Sequence, residues 1–314
     1  MIKQLSVVMP AYNAMPYLKP AIESILDQTF RDFEFLIVDD GSTDDSGAYL
    51  ESLSDPRIRI VHQKRGGIEA ALNTGIREAR HDWIARMDGD DVALPTRLEK
   101  EVNFLERNPQ YSLISCAIGY VGGNGRRLRA TFVPQLSSPP IYQPMVDPMI
   151  ADQGMVFRRD AVQAVGGYRV VGAAEGLDLL LRLDEAGYLM TSIPDALMLV
   201  RVLSGGVSAR KFVDQRVTWK YSRACSMARR AACPEPERER FFREQWPRGW
   251  KRVKIEGERQ FRLGGADWGA GHYLRAAMQL MIACLLRPDH VLSKFRTYFF
   301  AEAPSAETRT LRVP

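Results

Sequence analysis

A chain of 314 residues with 46% hydrophobic, 26% charged and 9% aromatic side chains has ordinary globular usage, which excludes a disordered or fibrous protein and needs no disulfide staples to bury a core. Its four cysteines, Cys116, Cys225, Cys233 and Cys284, lie far apart with no C-x-x-C pair, which argues against a zinc site or disulfide framework and fits a reducing cytosol. The net charge of +5 hides a division, because residues 210–314 carry 22 Lys+Arg against 11 Asp+Glu and residues 1–209 carry 21 against 27.

The first hundred residues alternate in type. Leu5–Pro10 is a short apolar, β-branched run that reads as a buried strand closed by its proline. Between Pro16 and Asp27 the apolar Leu18, Ala21, Ile22, Ile25 and Leu26 recur at helical spacing. Phe33–Asp40 predicts a second strand stopped at Asp40-Gly41, Thr43–Leu53 a helix, and Arg57–Gln63 a third strand by its alternation. Gly66 and Gly67 break the chain before a helix over Glu69–Arg80. Trp83–Asp88 predicts a fourth strand, and Pro95–Glu106 a helix after it. Strand–helix units at this interval point to a parallel sheet covered by helices on both faces. The pattern loosens over 111–209, where Leu177–Ala186 is the one strong helix. Beyond 210, Arg-rich helical segments run to about 300 with breaks expected at Pro234–Pro236, Gly264-Gly265 and Pro288, and 302–314 reads as a tail.

Two apolar runs test for membrane or export segments. Leu5–Met9 is too short for a signal peptide, and the eleven residues Ala276–Leu286 are about half the ~20 that a span requires. A cytoplasmic chain is expected.

Ligands of open α/β sheets bind at the carboxyl ends of the strands, where the strand order reverses. Three such ends carry unusual polar residues here: Pro10-Ala11-Tyr12-Asn13, Asp39-Asp40-Gly41-Ser42 and Asp88-Gly89-Asp90-Asp91. Neither G-x-G-x-x-G after the first strand nor G-x-x-x-x-G-K-[ST] anywhere is present, so dinucleotide and P-loop readings lose their main support. Three Asp within four residues repel one another unless a cation sits among them, and hard divalent ions such as Mg²⁺ or Mn²⁺ take such oxygen ligands together with substrate phosphates.

These motifs resemble the family 2 glycosyltransferases. The matching stretches are SVVMPAYNAMPYLKPAIESILDQTFRDFEFLIVDDGSTDDS (6–46), RGGIEAALNTGIREARHDWIARMDGDDVALPTRLEKEV (65–102) and MVFRRDAVQAVGGY (155–168). The resemblance covers roughly residues 5–205. It implies a GT-A fold, an α/β, mostly parallel Rossmann-like sheet flanked by helices, with a C-terminal helical region appended. It also implies a catalytic domain over 1–209, divided into a nucleotide-sugar half (1–110) and an acceptor half (111–209); beyond the resemblance, charge and helical pattern give a basic helical region (210–301) and the tail (302–314). The implied activity is inverting transfer of a sugar from a nucleotide diphosphate sugar, UDP-linked or similar, to a carbohydrate or lipid-linked acceptor in bacterial surface polysaccharide or glycolipid synthesis. By the same resemblance Pro10, Ala11, Tyr12 and Asn13 hold the nucleotide, Asp40 hydrogen-bonds its base beside Asp39, and Arg65 and Gly66 close over it. Asp88, Gly89 and Asp90 form the D-x-D motif, with Asp88 and Asp90 toward the sugar and the Mn²⁺ or Mg²⁺ ion.

The acceptor side departs from the family pattern. Where relatives read A-E-D-Y-D-L-W-L-R-L, this chain has Ala174-Glu175-Gly176-Leu177-Asp178, so the expected catalytic Asp is Gly176. The general base must then move, with Glu175 and Asp178 as flanking candidates on the first helical turn, where the dipole favours a carboxylate. Leu203 stands where relatives carry a His before the G-x-V-S segment. A degenerate relative that binds nucleotide sugar or a partner with little turnover is the alternative these two positions raise. In the basic region Trp219, Trp246, Trp250 and Trp268 accompany Arg248, Lys251, Arg252 and Lys254. With no nucleic-acid-binding motif beside them, these residues fit either a peripheral contact with the inner face of the cell membrane, where the resemblance places such enzymes, or a solvated helical domain that packs on the catalytic one.

Overall fold

The computed structural model describes residues 2–134, 143–145, 150–203, 211–269 and 271–292. Ser204–Ser208 and the 302–314 tail therefore lie outside the described residues. The chain divides into two compact units, the first formed by Met1–Ile118, Phe132–Val171 and Glu175–Leu199, the second by Gly119–Thr131, Gly172–Ala174 and Val200–Pro314.

The first unit is built on strands β1 (Leu5–Ala11), β2 (Phe33–Asp39), β3 (Ile58–His62), β4 (Trp83–Arg86), β5 (Val92–Ala93), β6 (from Tyr111), β8 (Val156–Arg158) and β9 (from Leu189). Among the described residues the sheet order is β3-β2-β1-β4-β8-β6-β9-β5, with β7 (Arg127–Phe132) paired to β6. The β3-β2-β1-β4 block is parallel and β8 joins it antiparallel through Trp83 opposite Arg158. Parallel strands covered on both faces should be continuously apolar, and every residue of β2 is buried.

The intervening helices are α1 (Leu18–Leu26), α2 (Ser46–Glu51), α3 (Ile68–Glu78), α4 (Arg97–Arg107), α5 (Arg159–Ala164) and α6 (Glu175–Glu185). Each expected strand and helix over 5–106 is present within a few residues of its sequence-derived bounds. Pro10 does not end β1, which continues to Ala11. The β1–β4 ladder stops at Val8 opposite Arg86, so the missing Pro10 N–H costs no ladder bond there. One core joins Val8, Leu36 and Val38 of the sheet to Leu72 and Ile76 of α3 and Leu179, Leu180 and Leu183 of α6. Burial of such side chains stabilises by about 1.5–3 kcal/mol each. Helix α3 approaches β1 closely because Gly75 has no Cβ, which would stand 2.2 Å from Val8 Cγ1.

The second unit contains helices α7 (Phe212–Arg230), α8 (Arg238–Gln245), α9 (Gly249–Gly269) and α10 (Tyr273–Leu286). The expected breaks at Pro234–Pro236 and Pro288 coincide with helix ends. The one expected at Gly264-Gly265 is corrected, since α9 runs through it. A Cβ on Gly264 would lie 2.7 Å from Leu280 Cγ, and one on Gly257 2.9 Å from Leu286 Cβ. Seven residues apart, these two glycines share a helix face, and they admit α10 rather than interrupt α9.

Candidate active site

Strands β2 and β3 lie to one side of β1 and β4 to the other, so the order reverses at the carboxyl ends of β1 and β4, the position where α/β sheets bind ligands. Both sequence motifs meet there. A Cβ on Gly89 would contact Pro10 O and Ala14 Cβ, each at 3.5 Å, which places the Asp88–Asp91 turn directly on the β1 loop. Asn13, at φ 46°, turns that loop toward the end of β2. Its Oδ1 accepts from the Thr43 backbone N–H at 2.7 Å, and its own N–H donates to Ser42 Oγ at 3.1 Å.

Asp39 and Asp40 have different tasks. Asp39 Oδ1 accepts from the Ser42 N–H at 3.0 Å, and Oδ2 lies 3.1 Å from His62 Nδ1. His62 Nε2 is 2.6 Å from Glu51 Oε1. The Asp39 bond, then Glu51, raises the imidazole pKa above its ordinary value. Asp40 is almost wholly buried and accepts from Gln63 Nε2 at 2.7 Å, the Gly66 N–H at 2.7 Å, the Gly67 N–H at 2.9 Å and the Arg65 guanidinium. Burial works against its charge, yet the Gln63, Gly66, Gly67 and Arg65 donors outweigh it and hold the carboxyl below the usual range. Arg65 also stacks on Tyr12, its guanidinium carbon 3.4 Å from the ring centroid. At Gly41, φ 73°, a Cβ would lie 3.0 Å from Arg65 N. The sequence-derived group Tyr12, Asn13, Asp39, Asp40, Arg65 and Gly66 thus forms one connected cluster.

The second cluster centres on Arg86, a residue the motif reading passed over. Its side chain is 3% exposed, at the last position of β4. Nε and Nη2 reach Asp88 Oδ1 and Oδ2 at 3.0 and 3.3 Å, Nη2 reaches Glu175 Oε1 at 3.5 Å, and Nη1 lies 3.9 Å from Asp152 Oδ2. The guanidinium also faces the Tyr168 ring at 5.8 Å. Burial favours proton loss from Arg86, but Asp88, Tyr168, Glu175 and Asp152 outweigh it and hold it firmly protonated. Burial pushes the Asp152 carboxyl up to about 7, opposed by Arg86 and assisted by Glu175 and Asp88. Burial likewise raises the Tyr168 phenol to about 12. Arg86 was visible in the sequence only as one charge in an otherwise apolar strand.

Of the two carboxylates flanking Gly176, only Glu175 joins this cluster. Asp178 is fully buried and bonds Arg182 Nε at 2.9 Å, while Arg182 Nη2 donates to Gly167 O at 2.7 Å. That pair secures the turn after α5, where Gly166 and Gly167 have φ 86° and 68°. Asn73 of α3 completes the anchorage, accepting from the Tyr168 N–H and donating to its carbonyl, both at 2.8 Å. The Gly166-Gly167-Tyr168 segment is therefore a structural turn that also places Tyr168 against Arg86. Leu203 is half-buried.

Residues 6–166 match the profile of Glycosyl transferase family 2. EpsE of Bacillus subtilis (strain 168), named as a glycosyltransferase, is 33% identical over 217 residues, 67% of this chain and 77% of that protein. The amylovoran biosynthesis glycosyltransferase AmsE of Erwinia amylovora is 32% identical over 216 residues, 66% of this chain and 79% of its own. Among solved structures, the mannosyltransferase PcManGT from Pyrobaculum calidifontis in complex with GDP-Man and Mn²⁺ superposes with TM-score 0.58 at 20% identity, covering 94% of this chain and 81% of that one. Staphylococcus aureus TarS 1–349 with UDP-GlcNAc gives TM-score 0.56 at 15% identity over 93% and 91% of the two chains. These structures share the GT-A fold, and the profile and the relatives establish that the chain belongs to glycosyl transferase family 2, a family of transferases.

Proposed function

We propose that this protein transfers a sugar, with inversion, from a nucleotide diphosphate sugar to an acceptor hydroxyl in the assembly of a bacterial surface polysaccharide or glycolipid. The observation that carries the reading is the meeting of the Asp40–Arg65–Tyr12 cluster and the Asp88–Asp91 turn at the reversal point of the sheet. Asp40 holds Arg65 and the Gly66–Gly67 backbone in place, Arg65 and Tyr12 offer flat faces for a base, and Asp88 lies on the adjoining turn. Support for the donor class comes from the solved relatives, which hold GDP-Man and UDP-GlcNAc. AmsE, by its name, supports the polysaccharide role.

The carboxylates suit a divalent cation bound partly by substrate. Among the described residues no three His, Cys, Asp or Glu side chains stand together as a cage, and Asp88 is engaged by Arg86. Mg²⁺ and Mn²⁺ are commonly held by one or two carboxylates plus substrate phosphates, so Asp90, with Asp88 beside it, would hold the ion. Such an ion supplies Lewis-acid neutralisation of the diphosphate charge. The chain itself orients the donor through the β1, β2 and β4 ends and provides a carboxylate to receive the acceptor proton.

Calorimetry with UDP, GDP and their sugars in Mn²⁺ tests the reading. Binding of one nucleotide series by the wild type, and its loss in Asp90→Ala, is expected; absence of any binding with metal present rejects it. No described helix is long and apolar enough to cross a membrane. A peripheral membrane contact is supported by the exposed Leu274, Met278, Met281 and Leu285 on α10 and by Trp250 beside exposed Lys251, Arg252 and Lys254 on α9. Sedimentation with anionic, but not neutral, phospholipid vesicles is the expected result.

A further inference from the structure

Sugar transfer to a hydroxyl needs a general base that is near the donor and not consumed by stronger partners. The acidic groups at this site differ in that respect. Asp88 gives both oxygens to Arg86, and Asp178 is closed off with Arg182. Glu175 accepts from Arg86 Nη2 at 3.5 Å. Asp152 keeps more freedom, because its nearest guanidinium nitrogen is 3.9 Å away and its Oδ1 accepts no hydrogen bond. Its side chain is 15% exposed.

The position of Asp152 is also specific. A Cβ built on Gly176 would stand 2.0 Å from Asp152 Oδ2, 2.3 Å from Cγ and 2.6 Å from Oδ1. No side chain can occupy position 176 while Asp152 lies there. The carboxylate thus fills the volume beside the first turn of α6 that a residue at 176 would otherwise take, and it arrives from the short turn before β8. That turn is pinned: Ser115 Oγ donates to Ala151 O at 2.7 Å, the Met155 N–H donates to Asp152 O at 3.2 Å, and a Cβ on Gly154 would lie 2.5 Å from Cys116 Sγ. A carboxylate on a rigid support loses little orientation when an acceptor binds.

The geometry points to Asp152 as the general base of the transfer, standing in the space that Gly176 leaves open. This deepens the proposed function and rests on its inverting, nucleotide-sugar reading. Asp152 takes the acceptor hydroxyl proton as that oxygen forms its bond to the anomeric carbon. The electron pair of the breaking C1–O bond leaves with the nucleoside diphosphate.

The test uses the full chain with Mn²⁺ and UDP-glucose, UDP-galactose, UDP-GlcNAc and GDP-mannose, following donor binding by calorimetry and nucleotide release with water or added sugar and lipid-linked acceptors. Asp152→Asn should bind donor within about twofold of wild type and release nucleotide about 10²–10⁴-fold more slowly, the range for loss of a general base. Gly176→Asp alone should also be impaired, because the two carboxylates compete for one space. The exchange variant Asp152→Gly/Gly176→Asp should recover at least about tenfold over Asp152→Gly, and it reports even if the asparagine variant folds poorly. Wild-type turnover in Asp152→Asn overturns the assignment, as does loss of turnover in Glu175→Gln while Asp152→Asn stays active. Failure of the wild type to bind any donor would instead reject the donor reading beneath it.

Discussion

Arg97 is a fully buried cation that links the stability of the sheet to the site, and Arg97→Met should show this quantitatively. Its Nε lies 3.2 Å from both oxygens of the equally buried Glu101, and its Nη2 donates to the Arg86 carbonyl at 2.8 Å, at the end of β4. Methionine keeps the volume but strands Glu101, and breaking a buried pair from one side costs about 3–5 kcal/mol. Burial already holds the Glu101 carboxyl up at about 7 despite Arg97, and removing the cation raises it further. An acid whose folded pKa is raised contributes stability below its unfolded pKa and loses it as pH rises through the folded value. Wild-type stability from this group should therefore level off above about pH 7, whereas Arg97→Met should go on losing about 1.4 kcal/mol per pH unit. Urea denaturation at pH 6, 7 and 8 measures both. Replacing the whole pair, Arg97→Met/Glu101→Leu, should restore most of the loss and remove the excess pH slope, since an apolar pair carries no desolvation penalty. A single variant that loses less than about 1 kcal/mol at pH 8, or a double variant no more stable than the single, would refute the reasoning.

Two further outcomes follow from contacts in the structure. Asp40→Asn should lose about 1–3 kcal/mol at neutral pH through its four donors; because the carboxyl is held below its ordinary pKa, the contribution exists above that ordinary value and vanishes as pH falls through the folded one, so the acid limb of the variant's stability profile should be flatter than wild type. Gly264→Val should destabilise the α9–α10 pair by about 1–3 kcal/mol, as overpacking does, since its Cβ would meet Leu280 at 2.7 Å; thermal unfolding indistinguishable from wild type would show that the glycine is no contact point.

Much of the strand-end site is local in character and so was legible in the sequence. Val7–Met9 and Leu36–Val38 are apolar because both faces of a parallel sheet are covered, and the change to Asn13, Asp40 and Asp88 marks where each strand emerges. A polar cluster at a strand end needs only its neighbours in sequence to be recognised. The helical breaks at proline were legible for the same reason, because proline removes a donor wherever it stands. Glycine is ambiguous, and Gly264 looked like a break but is a packing contact whose partner lies on another helix.

By itself, then, the sequence determined the alternation of strands and helices and the acidic strand ends, which depend on side-chain type and spacing along one segment, and the resemblance to the family marked the vacancy at Gly176. Only the tertiary structure decided what surrounds that vacancy. Asp152 and Gly176 lie in different segments, and nothing in the periodicity of either shows that the carboxylate of one fills the missing side chain of the other. Arg86 likewise gained its meaning from Asp88, Asp152 and Glu175 meeting around it, because a buried charge is stabilised by partners that the fold, not the neighbouring residues, brings within reach.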